Sequence, residues 1–191
     1  MARSFSDYER EDIRRRLSDV CRNCWTQVGY KKTSVDEICR QVGISKGAFY
    51  LFYDTKESLF CEVLCATQRD ICKMASAVME KNSGKSGMVK ALKLIYRAYH
   101  ENSFLYGSDT ADYEVLMSKV SEQQAQEMQA ASELSKQLFL NHPVLKCKVA
   151  PDIAISVIYS LVMNIKNKDV LPNHIEVFDF MVEHLIDVLY E

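Results

Sequence analysis

The first proline of this 191-residue chain is Pro143, and the other two are Pro151 and Pro172. Nothing before residue 143 therefore forbids helix except glycines and polar breaks. Apolar residues recur at helical spacing throughout, whereas sustained period-two alternation bounded by turn pairs is missing. These two facts together predict an all-α chain of about nine helices, and 48% hydrophobic content is enough to give it a core.

The first helix is expected over about residues 8–28, with Ile13, Leu17, Cys21, Cys24, Trp25 and Val28 on one face and Gly29 ending it. Ser34 reads as an N-cap with Glu37 three residues on, the reciprocal capping box. A second helix follows to about Val42, Gly43 breaks it, and Ser45 caps a third that runs to about Phe52. Thr55 caps a long fourth helix from Lys56 to about Lys81, and the connector "NSGKSG" follows at 82–87. Further helices are expected at about 88–105, 109–119, 121–141, 151–168 and 174–190. The domain boundary is placed at 55/56, giving segments 1–55 and 56–191.

Two short helices around a tight glycine turn, "CRQVGISKG", form the helix-turn-helix pattern, whose second member can lie in the DNA major groove. Ile38, Val42, Ile44, Phe49 and Tyr53 are expected to face inward and lock the interhelical angle. Lys46, Gly47, Ala48, Tyr50, Leu51 and Phe52 then face out, behind the cap at Ser45. Gly47 and Ala48 let the backbone approach base edges, and Ala48 can meet a thymine methyl. Lys46, the Tyr50 hydroxyl, Lys56 in the first turn of the fourth helix, and Thr33 with Ser34 at the start of the second suit bases or phosphates. Charge agrees with this placement. The whole chain is −2, but residues 1–56 hold eleven Lys/Arg against eight Asp/Glu.

The run "GYKKTSVDEICRQVGISKGAFYLFYDTKESLF", residues 29–60, resembles the signature of the TetR family of transcriptional regulators. The resemblance covers the first third of the chain by motif and the rest by length and helix count. It implies a homodimer of nine-helix subunits, with three N-terminal helices on operator DNA and a C-terminal domain that senses a small ligand. Carried over by position, Tyr50 and Lys56 become phosphate contacts, and Lys46 to Ala48 with Leu51 and Phe52 meet the groove. Two departures stand out. Asp54 occupies a slot where the pattern has a basic or neutral polar residue, and an acid there repels phosphate. Cys39 replaces the usual alanine.

Other features compete with plain packing. Cys21 and Cys24 make a Cys-x-x-Cys, but they share a packing face with Trp25, and no second pair completes a four-ligand zinc site. On the fourth helix Cys61, Cys65, Cys72 and Met79 form a stripe of their own, either a thiol sensor of oxidants or soft metals or simple core. "GKS" at 84–86 lacks the first glycine of a phosphate loop, because residue 79 is methionine. His100, His142, His174 and His184 show no ligand spacing. Tyr96, Tyr99, His100, Phe104, Tyr113, Phe139 and Tyr159 either line an apolar ligand cavity or fill the core.

The last two helices carry more apolar surface than one core face requires. Ile175, Phe178, Val182, Leu185 and Leu189 repeat in a 3-4 pattern, with Val177, Met181 and Val188 as a second stripe beside it. Ser156, Ser160 and Asn164 form a small-residue track on the preceding helix. The dimer contact is expected at Ile158, Leu161, Ile165, Phe178, Val182, Leu185 and Leu189, on a twofold-symmetric four-helix interface.

The expected function is a dimeric, ligand-responsive regulator, a repressor in the simplest case, that binds a near-palindromic operator. Its expected partners are double-stranded DNA, a small-molecule effector of unknown identity and a second copy of itself. No cofactor, metal or membrane is expected. Seven cysteines, no apolar leader after Met1 and no apolar run of about 20 residues point to the cytoplasm. A helical adaptor that has lost DNA binding, or a thiol-sensing variant, are the rival readings. An enzyme ranks last, because no nucleophile, base and orienter set is visible.

Overall fold

The computed structural model describes residues 5–107, 110–140 and 146–191, the side chains of residues 135–137, 139 and 140 excepted. It is all-α. Among the described residues the helices are α1 (Asp7–Lys32), α2 (Val35–Val42), α3 (Lys46–Phe49), α4 (Lys56–Lys81), α5 (Gly84–Glu101), α6 (Ala111–Met117), α7 (Glu122–Leu140), α8 (Pro151–Met163) and α9 (His174–Leu189). Short 3-10 turns at Ser103–Leu105 and Asn164–Asn167 follow α5 and α8.

Hydroxyl caps set the N-termini of the first four helices. Ser6 and Glu9 form a complete capping box at α1. At α2 only half of the expected box forms: Ser34 Oγ accepts from the Glu37 N–H at 3.1 Å, but the Glu37 carboxylate turns to Arg40 and Gln41 instead. Two charge-assisted bonds from one guanidinium outcompete a single backbone N–H, and they hold the Glu37 carboxyl down at about 2. Ser45 Oγ accepts from the Ala48 N–H, and Thr55 Oγ1 from the Ser58 N–H.

Three boundaries differ from the sequence reading. Gly29, at φ 84° and ψ 171°, breaks α1 as expected, yet a further turn follows to Lys32. Helix α3 ends at Phe49, because the chain tightens to i→i+3 bonds from Leu51 to Ala48 and from Phe52 to Phe49. Helix α5 starts at Gly84, leaving a connector much shorter than 82–87.

By packing, the chain forms two compact units. The first comprises residues 1–66 and 107–128, so it takes in α6, which lies beyond the 55/56 boundary read from sequence. Its core joins Leu17, Cys21 and Trp25 of α1 to Ile38, Val42, Phe49, Tyr53, Leu59 and Phe60. Trp25 and Tyr30 pack their rings on Phe60 with centroids 4.7 and 5.0 Å away. Cys24 and Cys39 are buried here as small hydrophobes.

The second unit comprises residues 67–106 and 129–191. Ile71, Ala75, Met88, Leu92, Ile95 and Tyr96 meet Ala154, Ile158, Leu161, Ile165, Phe178, Val182 and Ile186 in one core. Arg97 of α5 grips Asp179 of α9 with both Nη atoms at 3.0 and 2.8 Å, and Lys93 reaches Glu183 at 2.6 Å, so α5 and α9 are tied at their rim. Among the described residues, no helix is long and apolar enough to cross a membrane.

Candidate nucleic-acid interface

Ile38, Val42, Phe49 and Tyr53 are buried and Ile44 is half-buried, as the helix-turn-helix pattern requires. Gly43 makes the turn between α2 and α3 in the left-handed region, φ 76° and ψ 34°, with its N–H bonded to Cys39 O. Two arginines of α1 brace the same segment. Arg16 Nη1 donates to Val42 O at 2.8 Å and Arg14 Nη2 to Phe52 O at 3.2 Å, satisfying carbonyls that the short helices leave open.

Locked in this way, the pair presents Ser34, Ser45, Lys46, Gly47, Tyr50 and Leu51 to solvent, with Ala48 half-buried. Tyr50 is 48% and Leu51 55% exposed. An exposed leucine beside an exposed tyrosine and a glycine, on a surface otherwise polar, suits contact with base edges and thymine methyls.

Three of the sequence assignments need correction. Phe52 is only 7% exposed. The tightened turn after α3 swings its ring inward, where it lies 5.8 Å from the Phe5 ring and 5.2 Å from the Arg10 guanidinium. Thr33 is buried, and its hydroxyl donates to Gly29 O at 2.7 Å, so it closes the α1 terminus instead of facing outward. The Lys56 ammonium turns inward too: it donates to Tyr30 O at 2.8 Å and Thr33 O at 2.9 Å and sits 3.7 Å from the Tyr30 ring centroid. Burial pulls its pKa below the usual lysine value. Lys46 stays exposed, but its ammonium pairs with Asp36 at 2.9 Å.

One residue of this unit went unnoticed in the sequence. Asp112 of α6 accepts the Tyr30 N–H at 2.5 Å and the Lys31 N–H at 2.8 Å, where α1 breaks. Those positions are 82 and 81 residues apart, so no local pattern signals the contact.

The sulfur stripe of α4 is core. Cys61, Cys65 and Cys72 are buried, and Cys61 Sγ lies 3.5 Å from Met128 Sδ. Burial pushes the Cys61 thiol up to about 12, the opposite of what a reactive thiolate needs. Among the described residues no group of three or more His, Cys, Asp or Glu is placed to hold a metal.

The aromatic candidates are dispersed. Tyr96 and Phe104 are buried, Tyr96 stacking on Phe178 at 3.9 Å with its hydroxyl 3.1 Å from His174 Nδ1. Tyr99 is half-buried, while His100 and Tyr159 are exposed. Tyr113 belongs to the first unit, and the Phe139 side chain and His142 lie outside the described residues. An open groove of about 330 Å³ is lined by Asp152, Ile153, Ser156, Val157 and Ser160 of α8, none of them among these candidates.

The expected dimer residues are corrected as well. Ile158, Leu161, Ile165, Phe178, Val182 and Leu189 are buried within the second unit, with Leu185 half-buried against them. Since α9 must cover α5, its regular stripe goes inward. The second stripe is the one left outside: Val177, Met181 and Val188 are exposed, Val188 at 66%, and Phe180, which the sequence reading did not place in it, is exposed beside them at 65%.

The fold and this surface define a helix-turn-helix protein of the all-α, two-unit class. Residues 17–63 match the family described as bacterial regulatory proteins, tetR family. The uncharacterized HTH-type transcriptional regulator YhgD of Bacillus subtilis (strain 168) is 29% identical over 69 residues, a stretch covering 36% of each chain. Matches in structure extend much further. The transcriptional regulator FadR from Bacillus subtilis, solved in complex with stearoyl-CoA, has a TM-score of 0.71 at 12% identity, covering 91% of this chain and 98% of that one. A regulator of the TetR/AcrR family from Thermobifida fusca YX-ER1 gives 0.67 at 18% identity, covering 92% and 97%. Residues 17–63 thus match the tetR family by sequence, and the chain as a whole shares the fold of these solved regulators.

Proposed function

We propose that the chain works as a dimeric, ligand-responsive repressor that lays α3 of each subunit in one major groove of a near-palindromic operator. One observation carries this reading: the buried lock of Ile38, Val42, Phe49 and Tyr53 holds Ser45, Lys46, Gly47, Tyr50 and Leu51 outward, a surface of small and polar side chains with one exposed leucine. The 1–55 segment is then the DNA-binding domain, and 56–191 the sensing and dimerisation domain, acting in the cytoplasm where the operator is.

The exposed stripe of α9, Val177, Phe180, Met181 and Val188, supports a twofold partner. A small-molecule effector would act by preferring the conformation whose heads do not match the half-site spacing. The structural neighbour FadR from Bacillus subtilis was solved in complex with stearoyl-CoA, which supports an effector role for the second unit.

Selection of duplexes from a random pool tests the reading. A dimeric complex on a near-palindrome is expected, with affinity falling as salt rises, and K46A with Y50F should weaken it. A monomer that ignores every duplex at low salt refutes it. The adaptor reading has one observation in its favour: Lys46 is paired with Asp36, and Lys56 with two carbonyls. An adaptor would not register the two substitutions.

A further inference from the structure

We propose that Asp112 is a positioning residue that couples α6 to the reading head by holding the broken end of α1. This deepens the DNA-binding reading and rests on it for its functional half. The break at Gly29 removes the helical carbonyl partners of the next N–H groups, leaving Tyr30 and Lys31 as orphan donors. Asp112 supplies both acceptors from another helix, Oδ2 to Tyr30 and Oδ1 to Lys31. Only glycine fits the break. Its φ of 84° disfavours any side chain, and a Cβ there would meet Asp112 Oδ2 at 3.0 Å.

From this clamp the path to the reading surface is short. Lys31 leads through Lys32 and Thr33 to Ser34, the N-cap of α2. The same turn is closed from the other side by Thr33 Oγ1 on Gly29 O and by Lys56 Nζ on the carbonyls of Tyr30 and Thr33. A carboxylate that accepts two backbone N–H groups fixes position and direction together. The turn that aims α2 and α3 is therefore registered to residue 112, and a shift of α6 reaches α2 without passing through the α1 core. All of these residues belong to the first compact unit.

The test compares the wild-type chain with D112A and D112N in two assays. The first reads amide exchange at Tyr30 and Lys31 and the amide resonances of residues 35–49, well below melting and without DNA. The second reads affinity for the duplex selected by the wild-type chain across a salt series. In D112A the two amides should exchange at least about tenfold faster, as expected for donors with no partner, and the resonances of α2 and α3 should move. DNA affinity should fall about tenfold with the salt slope unchanged, because Asp112 neutralises no phosphate. D112N keeps one acceptor and should lie between; it also decides the matter if D112A fails to fold. Unchanged exchange or unmoved α2 and α3 resonances overturn the coupling, as does DNA affinity within about twofold of wild type. If the wild-type chain binds no duplex, the DNA reading fails by itself, and the exchange and resonance data alone uphold or refute the positioning role.

Discussion

Lys56 is where a phosphate contact was expected and where the structure shows a staple, so Lys56→Met separates the two roles. The substitution keeps the stem's length and apolar contacts and removes the ammonium. Lost with it are two charge-assisted hydrogen bonds, to Tyr30 O and Thr33 O, and the cation over the Tyr30 ring. A bond to a charged group contributes about 1.5–3 kcal/mol when the partner carbonyl is left buried, and a partly desolvated cation–π contact about 0.5–2 kcal/mol. Desolvation of the ammonium, visible in its lowered pKa, offsets part of that gain, and the residue is only half-buried. A net loss of about 2–3 kcal/mol is expected, or roughly 5–10 °C in melting temperature followed by far-ultraviolet circular dichroism. The salt dependence of DNA binding should not change in slope. A melting temperature within about 1 °C of wild type, together with a slope smaller by about 0.9, the value of one lost phosphate contact, would refute the staple.

Four further outcomes follow from the packing. Phe178→Ala should lower stability by about 3–5 kcal/mol, since it empties a core position stacked on Tyr96, whereas F180S combined with M181S should leave the melting of the isolated subunit nearly unchanged and shift sedimentation from dimer to monomer. Burial, and next the neighbouring His100, hold the His174 pKa below its usual value, with Lys168 acting in the same direction and Glu176 and Asp169 against it. The unfolded chain therefore binds the extra proton first, and stability is full above about pH 6.5 and declines as pH falls below it; melting against pH should show this slope in wild type and lose it in H174Q. Because its thiol is raised to about 12 by burial, Cys61 should resist alkylation at neutral pH in the folded protein and react once denatured, which mass mapping of the labelled sites would check.

The serine caps at Ser34 and Ser45 and the inward positions of α2 and α3 were legible because each is set by neighbours within four residues. So were the all-α class and the existence of each helix, which follow from apolar period and the late first proline. The reading failed where a choice lay between two similar surfaces. Phe52 looked outward by helical phase, but α3 stops at Phe49 and the changed phase turns the ring in. Phe178, Val182 and Leu189 looked like the partner face because they repeat most regularly, yet α5 claims them, and the less regular Phe180 and Val188 remain outside.

The sequence by itself determined what depends on local periodicity and local capping: a helical chain, its helix-turn-helix, and the small and hydroxyl-bearing side chains from Ser45 to Tyr50. Only the tertiary structure decided which of two apolar stripes is core, and that Lys56 closes a turn. It also decided that a carboxylate at residue 112 completes the hydrogen bonding of residues 30 and 31. The physical reason is that a backbone donor stranded at a helix break can be satisfied by any acceptor that packing brings near, however distant in the chain.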